Sequence, residues 1–171
     1  MCQYTLLVCT VGGTPEPLIA TLKKWEPCRI LFLPSVETEQ KIPEIVNQAR
    51  QELPDLDPGR YEVKQIPDAQ NLTACVTLIR NLSSEVHQWV ALGPEYRVVV
   101  DFTGGTKCMT AALALVAHRW PCTFSYVGGT QRDKGNVGVV VSGKEHVLNF
   151  QNPWDVLGYQ AVEEAVTLFN N

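Results

Sequence analysis

Residues 96–107 read YRVVVDFTGGTK, and this stretch decides the fold class. Val98–Val100 form a continuous apolar run, which is typical of a central strand covered on both faces. A glycine pair ends the strand, and a small, apolar segment with helical spacing follows at once. A strand that enters a helix through such a turn is the unit of a parallel α/β sheet. We therefore predict strand, turn and helix here.

The rest of the chain repeats this alternation. β-Branched runs predict strands at residues 4–10, 29–33, 61–66, 96–102 and 123–127, with a hairpin at 137–142 and 146–150. Apolar spacing predicts helices at residues 15–25, 37–53, 71–92, 106–120 and 153–169, the first capped by Thr14. The predicted fold is α/β: a doubly wound, mostly parallel sheet with a C-terminal β-hairpin and helix. The first and fourth strands are the most apolar, so we expect them to be central neighbours.

Composition bounds the class of protein. The 171 residues predict a single domain over residues 1–171, and Lys+Arg 14 against Asp+Glu 18 gives a net charge of −4. This balance argues against a broad basic face that coats long nucleic acid. No apolar run approaches the roughly 18 residues of a membrane span. The six cysteines form no C-x-x-C pair, so we expect a cytoplasmic protein with no metal and no cofactor.

One tripeptide, Gly-Gly-Thr, occurs three times. The copies are Gly12-Gly13-Thr14, Gly104-Gly105-Thr106 and Gly128-Gly129-Thr130, and each follows a predicted strand. The carboxyl ends of parallel strands open the ligand crevice of a doubly wound sheet. Paired glycines let the backbone approach a ligand closely, and their amides beside a helix start form an anion cradle. Three copies at one level of the sheet predict a ligand site.

Lys107 follows the middle copy, at the first turn of a predicted helix. A cation is unfavourable there, because a helix start already carries positive potential. An anion that meets Lys107 accounts for its position. Lys107 and the amides of Gly105 and Thr106 are predicted to bind a phosphate, with the hydroxyl of Thr103 nearby. The spacing differs from that of a P-loop.

These residues resemble the signature of the CRISPR-associated Rossmann fold (CARF) domain. The signature is Asn or Asp, any residue, Thr, any residue, Gly, Thr or Ser, then Lys or Arg, and residues 101–107 match every specified position. The strand ending in TVGGTP at residues 10–15 and the stretches VGG at 127–129 and NPWD at 152–155 extend the resemblance over essentially the whole chain. It implies a Rossmann-like fold.

The resemblance also implies a function. Members of this family bind cyclic oligoadenylates, the second messengers of type III CRISPR antiviral defence, as homodimers with the ring across the two-fold axis. A fused or associated effector would then lie beyond residue 171. Some members are ring nucleases, in which the ribose 2′-hydroxyl attacks the adjacent phosphate without metal; Lys107 and Thr106 would then be catalytic.

The expected ligand-binding residues lie at the strand ends. Lys107 and the glycine amides would hold phosphates, and threonine, serine and glutamate side chains would face ribose and adenine edges. The predicted set is Thr10, Gly12, Gly13, Thr14, Ser35, Glu37, Thr103, Gly104, Gly105, Thr106, Lys107, Gly128, Gly129 and Arg132. Gln131 and Lys134, beside Arg132, would close over the ring, although a solvated polar hairpin fits the same residues.

Three hypotheses stay open. The first is a homodimeric sensor, most readily of cyclic tetra-adenylate, and the second is a metal-independent ring nuclease acting on the same ligand. The third is another Rossmann-like protein that binds a nucleotide or a phosphosugar. The small residues Ala111, Ala112 and Ala114 permit a close two-fold helix contact, and they suit packing on the sheet equally well.

Overall fold

A computed structural model describes residues 3–128, 146–153, 155 and 158–170. Within these residues one sheet has the strand order β3-β2-β1-β4-β5-β6. The first five strands run parallel, and β6 is antiparallel to β5. The strands are β1 (Tyr4–Val11), β2 (Arg29–Pro34), β3 (Tyr61–Val63), β4 (Tyr96–Asp101), β5 (Cys122–Gly128) and β6 (His146–Gln151).

Helices cover both faces of the sheet, as a doubly wound fold requires. They are α1 (Glu16–Trp25), α2 (Ile42–Ala49), α3 (Leu72–Arg80), α4 (Ser83–Val90), α5 (Lys107–Ala117) and α6 (Tyr159–Phe169). α1 and α2 bury their apolar residues against one face, and α3, α4 and α5 bury theirs against the other. The predicted fold class is confirmed.

The first and fourth strands are central neighbours, as predicted. Val99 packs on the α1 side of the sheet, whereas Val98 and Val100 pack on the α5 side, and all three are buried. The chain leaves β1 toward β2 on one side and reaches β4 on the other, so the strand order reverses between β1 and β4. The crevice at such a reversal is where doubly wound sheets bind ligands.

The long helix predicted over residues 71–92 is wrong: the structure has α3 and α4. The break lies at Asn81 and Leu82, and asparagine is a weak helix former that favours helix ends. Two indole hydrogen bonds hold α4 in place, from Trp120 to Ser83 at 3.0 Å and from Trp89 to the carbonyl of Arg97 at 3.2 Å. Tertiary contacts therefore override the continuous apolar spacing.

Other predicted ends also change. Helix α2 begins at Ile42 after a short 3₁₀ turn, and β3 ends at Val63, with one further bridge between Ser35 and Ile66. Thr14 does not cap α1, because Pro15 occupies the cap position without a side-chain hydrogen bond. The predicted strand 137–142 lies outside the described residues, while β6 supplies the antiparallel strand beside β5. No helix of the described part is long and apolar enough to cross a membrane.

Candidate functional site

The first and middle Gly-Gly-Thr turns touch through their backbones. A Cβ atom at Gly104 would lie 2.7 Å from the amide nitrogen of Gly12 and 2.8 Å from the carbonyl oxygen of Thr10. A Cβ atom at Gly12 would lie 3.1 Å from the amide nitrogen of Gly105. Gly104 leaves no room for a side chain and Gly12 leaves little, because the neighbouring atoms belong to the backbone. The turns after β1 and β4 therefore form one continuous floor.

Two features fix the shape of this floor. The hydroxyl of Thr10 donates a 2.6 Å hydrogen bond to the carbonyl of Gly104. Gly105 has a φ of 87°, a conformation that favours glycine. Thr10 is buried, so its hydroxyl ties the two turns together rather than facing a ribose as the sequence predicted.

The buried carboxylate of Asp101 holds the middle Gly-Gly-Thr turn in place through hydrogen bonds. It accepts hydrogen bonds from the hydroxyl of Thr21 at 2.9 Å and from the backbone N–H of Thr103 at 3.0 Å. Burial raises the pKa of Asp101, and the hydrogen bonds from Thr103, Thr21 and Ser125 oppose that rise. The indole of Trp25 donates to Ser125 at 3.1 Å, which extends the network into α1.

Thr103 links the middle turn to β5. Its hydroxyl accepts a 2.7 Å hydrogen bond from the backbone N–H of Val127. Gly128, the next residue, is buried at the end of β5 and pairs with His146 of β6. The third Gly-Gly-Thr thus begins at the same edge of the sheet as the other two. Gly129, Gln131, Arg132 and Lys134 lie outside the described residues.

Thr106 is the N-cap of α5. Its hydroxyl accepts from the backbone N–H of Met109 at 3.2 Å and donates to the carbonyl of Ala69. Its own amide points to the sulfur of Met109 at 3.4 Å. These bonds occupy the amide of Thr106, which the sequence predicts to bind a phosphate, and its hydroxyl, which the sequence predicts to be catalytic in a ring nuclease. Thr106 therefore positions Lys107, the next residue, instead of offering a free hydroxyl.

Lys107 is exposed at the first position of α5. Its ammonium forms no ion pair with any described carboxylate. A cation at a helix start that lacks a partner leaves both its own charge and the helix potential available to an anion. Gly13 and Thr14, across the floor, are also exposed, and a Cβ atom at Gly13 would meet nothing within 4 Å.

Ser35 and Glu37 form a separate corner at the end of β2. Ser35 is buried, and its hydroxyl donates a 2.7 Å hydrogen bond to the exposed carboxylate of Glu37. This bond holds the pKa of Glu37 below its ordinary range. Thr38 closes the corner through its amide and hydroxyl. A carboxylate held ionised suits ribose hydroxyls or adenine amino groups and repels phosphates.

Comparison with known proteins supports the fold. No protein-family model and no curated protein sequence matches the chain. Solved structures do match. Can2 from Sulfobacillus thermosulfidooxidans, in complex with cyclic tetra-adenylate, is 16% identical, with a TM-score of 0.56 over 73% of this chain. Protein VC1899 from Vibrio cholerae is 16% identical, with a TM-score of 0.53 over 72%. Enterococcus italicus Csm6, bound to cyclic hexa-2′-fluoro-hexa-dAMP, is 15% identical, with a TM-score of 0.57 over 74%.

The chain shares their Rossmann-like fold. This is the fold that the resemblance of residues 101–107 implies. The matches cover 32%, 30% and 34% of the three solved chains, so this sequence spans about a third of their length.

Sequence reasoning missed the supports of this site. Thr21 and Ser125 reach Asp101 from different elements, and no local pattern marks them. It also missed the loop between β3 and α3, whose carbonyl at Ala69 accepts from Thr106. The one available signal was the polar run DAQN at residues 68–71, directly before a predicted helix.

Proposed function

We propose that this chain binds a cyclic oligoadenylate, specifically cyclic tetra-adenylate, as a homodimeric sensor. The observation that carries the proposal is the backbone contact between Gly12 and Gly104 beside the exposed Lys107, which forms no ion pair within the described part of the chain. The two glycine turns and the cation lie where the strand order reverses, and a cyclic ligand with phosphates would approach the backbone closely there. The fold shared with Can2 and Csm6, solved with cyclic ligands, supports the same ligand class.

The charge balance fits a small anion held by a few groups. The chain has a net charge of −4, so its affinity for a phosphate must come from local donors. A two-fold dimer presents Lys107 twice, and a cyclic tetra-adenylate has a two-fold axis to match. Each charge-assisted phosphate contact stabilises the complex by about 1.5–3 kcal/mol.

The dimer contact that we propose runs along α5, with a correction to its residues. Ala112 is buried in the core and Ala114 packs partly against it, so these two residues serve the sheet. Ala111 and Leu115 are exposed instead, four residues apart on the helix surface that begins at Lys107. This short apolar stripe offers a self-complementary contact next to the ligand floor.

Calorimetric titration with cyclic tetra-adenylate in EDTA, followed by chromatography of the ligand, tests the proposal. Binding with the ring recovered intact supports the sensor. Binding with linear products supports a metal-independent ring nuclease, in which Lys107 would stabilise the charge that develops on the attacked phosphate. Linear tetra-adenylate is the control for ring shape. No binding of either ligand leaves the third hypothesis, another nucleotide or phosphosugar.

The remaining parts of this proposal concern an effector partner, the biological role and the cellular location. A fused or associated effector, and a role in type III CRISPR antiviral defence, are predictions that follow from the resemblance. Cytoplasmic location likewise stays a prediction from the cysteine pattern. The gene's reading frame around these 171 residues tests the first of them.

A further inference from the structure

Residues 67–71, the last part of the loop between β3 and α3, are anchored beside Lys107. Three side chains donate to three successive carbonyls of this loop. Cys75 of α3 donates to Asp68 at 3.5 Å, and Thr106 donates to Ala69. Cys108 of α5 donates to the carbonyl of Gln70 at 3.1 Å. The loop thus follows the edge strand β3 and is hydrogen-bonded to the start of α5, the helix that carries Lys107.

Only one polar side chain of this loop lacks a partner among the described residues. Asp68 accepts from the backbone N–H of Gln70 at 3.3 Å, and Asn71 accepts from the N–H of Ala74 at 3.1 Å as the cap of α3. The backbone of Gln70 is therefore held on both sides, by Asp68 and by Cys108, while its exposed side-chain amide has no hydrogen bond to any residue that the structure describes. A fixed backbone limits the positions that this amide can reach.

The charge and the hydrogen-bonding groups of this loop suit a base of the ligand better than a phosphate. Asp68 is acidic, so the loop repels phosphates, which Lys107 attracts. Gln70 is neutral and presents one acceptor and one donor side by side. An adenine presents the complementary pair, the N6 amino group and N7, and a glutamine side chain pairs with both at once.

We infer that Gln70 reads the adenine base of the nucleotide whose phosphate Lys107 binds. This inference rests on the proposed function and adds a base-specific residue to that site. The Oε1 atom of Gln70 accepts from the adenine N6 amino group, and its Nε2 group donates to N7. Hypoxanthine, the base of inosine, carries an oxygen at C6 instead of the amino group. This oxygen and Oε1 are both acceptors, so the hydrogen bond to Oε1 is lost.

The test compares the affinities of cyclic tetra-adenylate and cyclic tetra-inosinate by calorimetry. The wild-type protein should bind the adenine ring at least about tenfold more tightly, because a bidentate amide contact discriminates between bases on that scale. Gln70→Ala should reduce this ratio about tenfold, whatever preference Glu37 adds. Its melting temperature should stay unchanged, since the side chain is exposed and has no partner in residues 3–128, 146–153, 155 and 158–170.

Gln88→Ala is the matched control. Gln88 is exposed on α4 and bonds to Ser84, and its neighbour Trp89 bonds to Arg97 at the start of β4, the opposite edge of the sheet. This variant should keep the wild-type ratio. An adenine preference that is as large in Gln70→Ala as in the wild type, or equal wild-type affinities for the two rings, overturns the inference and leaves ring binding intact. Failure of the wild type to bind either ring refutes the proposed function and this inference together.

Discussion

The hydroxyl of Thr21 donates a 2.9 Å hydrogen bond to the buried carboxylate of Asp101, 80 positions away in the sequence. It joins the middle of α1 to the end of β4. The other carboxylate oxygen accepts from the backbone N–H of Thr103, inside the turn that forms the ligand floor. One buried side chain thus connects the floor to the helix that follows the first glycine turn.

Asp101→Asn should gain stability relative to the wild type as the pH rises. Burial raises the pKa of Asp101, so the folded protein keeps a proton that the unfolded chain, with a pKa of about 3.9, has released. The stabilising contribution of this group is therefore full below about pH 4 and is lost as the pH rises through the folded-state pKa. An asparagine stays neutral, donates to Thr21 and accepts from Thr103.

Urea unfolding of the two proteins between pH 4 and pH 8 measures this effect. The free energy of unfolding of Asp101→Asn, relative to that of the wild type, should increase as the pH rises from 4 to 8. A difference that is constant with pH would show that Asp101 does not carry the proton.

Thr21→Val removes a donor from the same carboxylate and should lower the free energy of unfolding by about 1–3 kcal/mol at neutral pH, because the buried acceptor loses its partner.

Lys107→Ala should weaken ligand binding without loss of stability. The ammonium is exposed and unpaired among the described residues, and it lies at an unfavourable helix end, so folding gains nothing from it. The affinity for cyclic tetra-adenylate should fall by about 1.5–3 kcal/mol for each of the two contacts in a dimer. Calorimetric titration and thermal melts provide the two readings.

Lys24→Ala is the control for overall charge. Lys24 is exposed in the last turn of α1, at the opposite edge of the sheet from the glycine floor. It should bind the ring as the wild type does. Wild-type affinity in Lys107→Ala would remove this lysine from the site and leave the glycine floor as the anion contact.

Gly104→Ala should damage both the fold and the site, whereas Gly13→Ala should not disturb the fold. A methyl group at Gly104 would lie 2.7 Å from the nitrogen of Gly12, and one at Gly13 would meet nothing within 4 Å. Overpacking against a fixed backbone costs about 1–3 kcal/mol. Chemical denaturation of both variants measures the contrast. Equal stability of the two would mean that the β1 and β4 turns do not touch.

Leu115→Arg should dissociate the proposed dimer while the monomer stays folded. Leu115 is 55% exposed on α5, so a charged side chain is tolerated by the single chain but not in an apolar two-fold contact. Leu92→Arg is the control, because Leu92 is 60% exposed after α4 and away from the α5 stripe. Sedimentation velocity with cyclic tetra-adenylate present separates the two. A Leu115→Arg dimer would place the contact elsewhere.

Local properties of the sequence were enough to predict the sheet. The apolar run Val98–Val100, the glycine turns and the helical spacing after them are short-range signals, and they indicated correctly that β1 and β4 lie side by side at the centre. The same signals located the floor, since parallel strands end at one edge. They failed at Asn81, where continuous apolar spacing hid a break that contacts from Trp89 and Trp120 maintain.

Only the tertiary structure decided what each polar side chain of the site does. The parallel register pairs Cys9 with Asp101, which brings Gly12 against Gly104 and turns the hydroxyl of Thr10 inward. The hydroxyl of Thr106 donates to the carbonyl of Ala69. Ala69 lies in the loop that follows β3, and β3 is separated from β4 in the sheet by β2 and β1. A hydroxyl, a thiol or an amide has the same local sequence signature whether or not it is already bonded. Which donors remain for a ligand depends on distant partners that only the folded chain brings within reach.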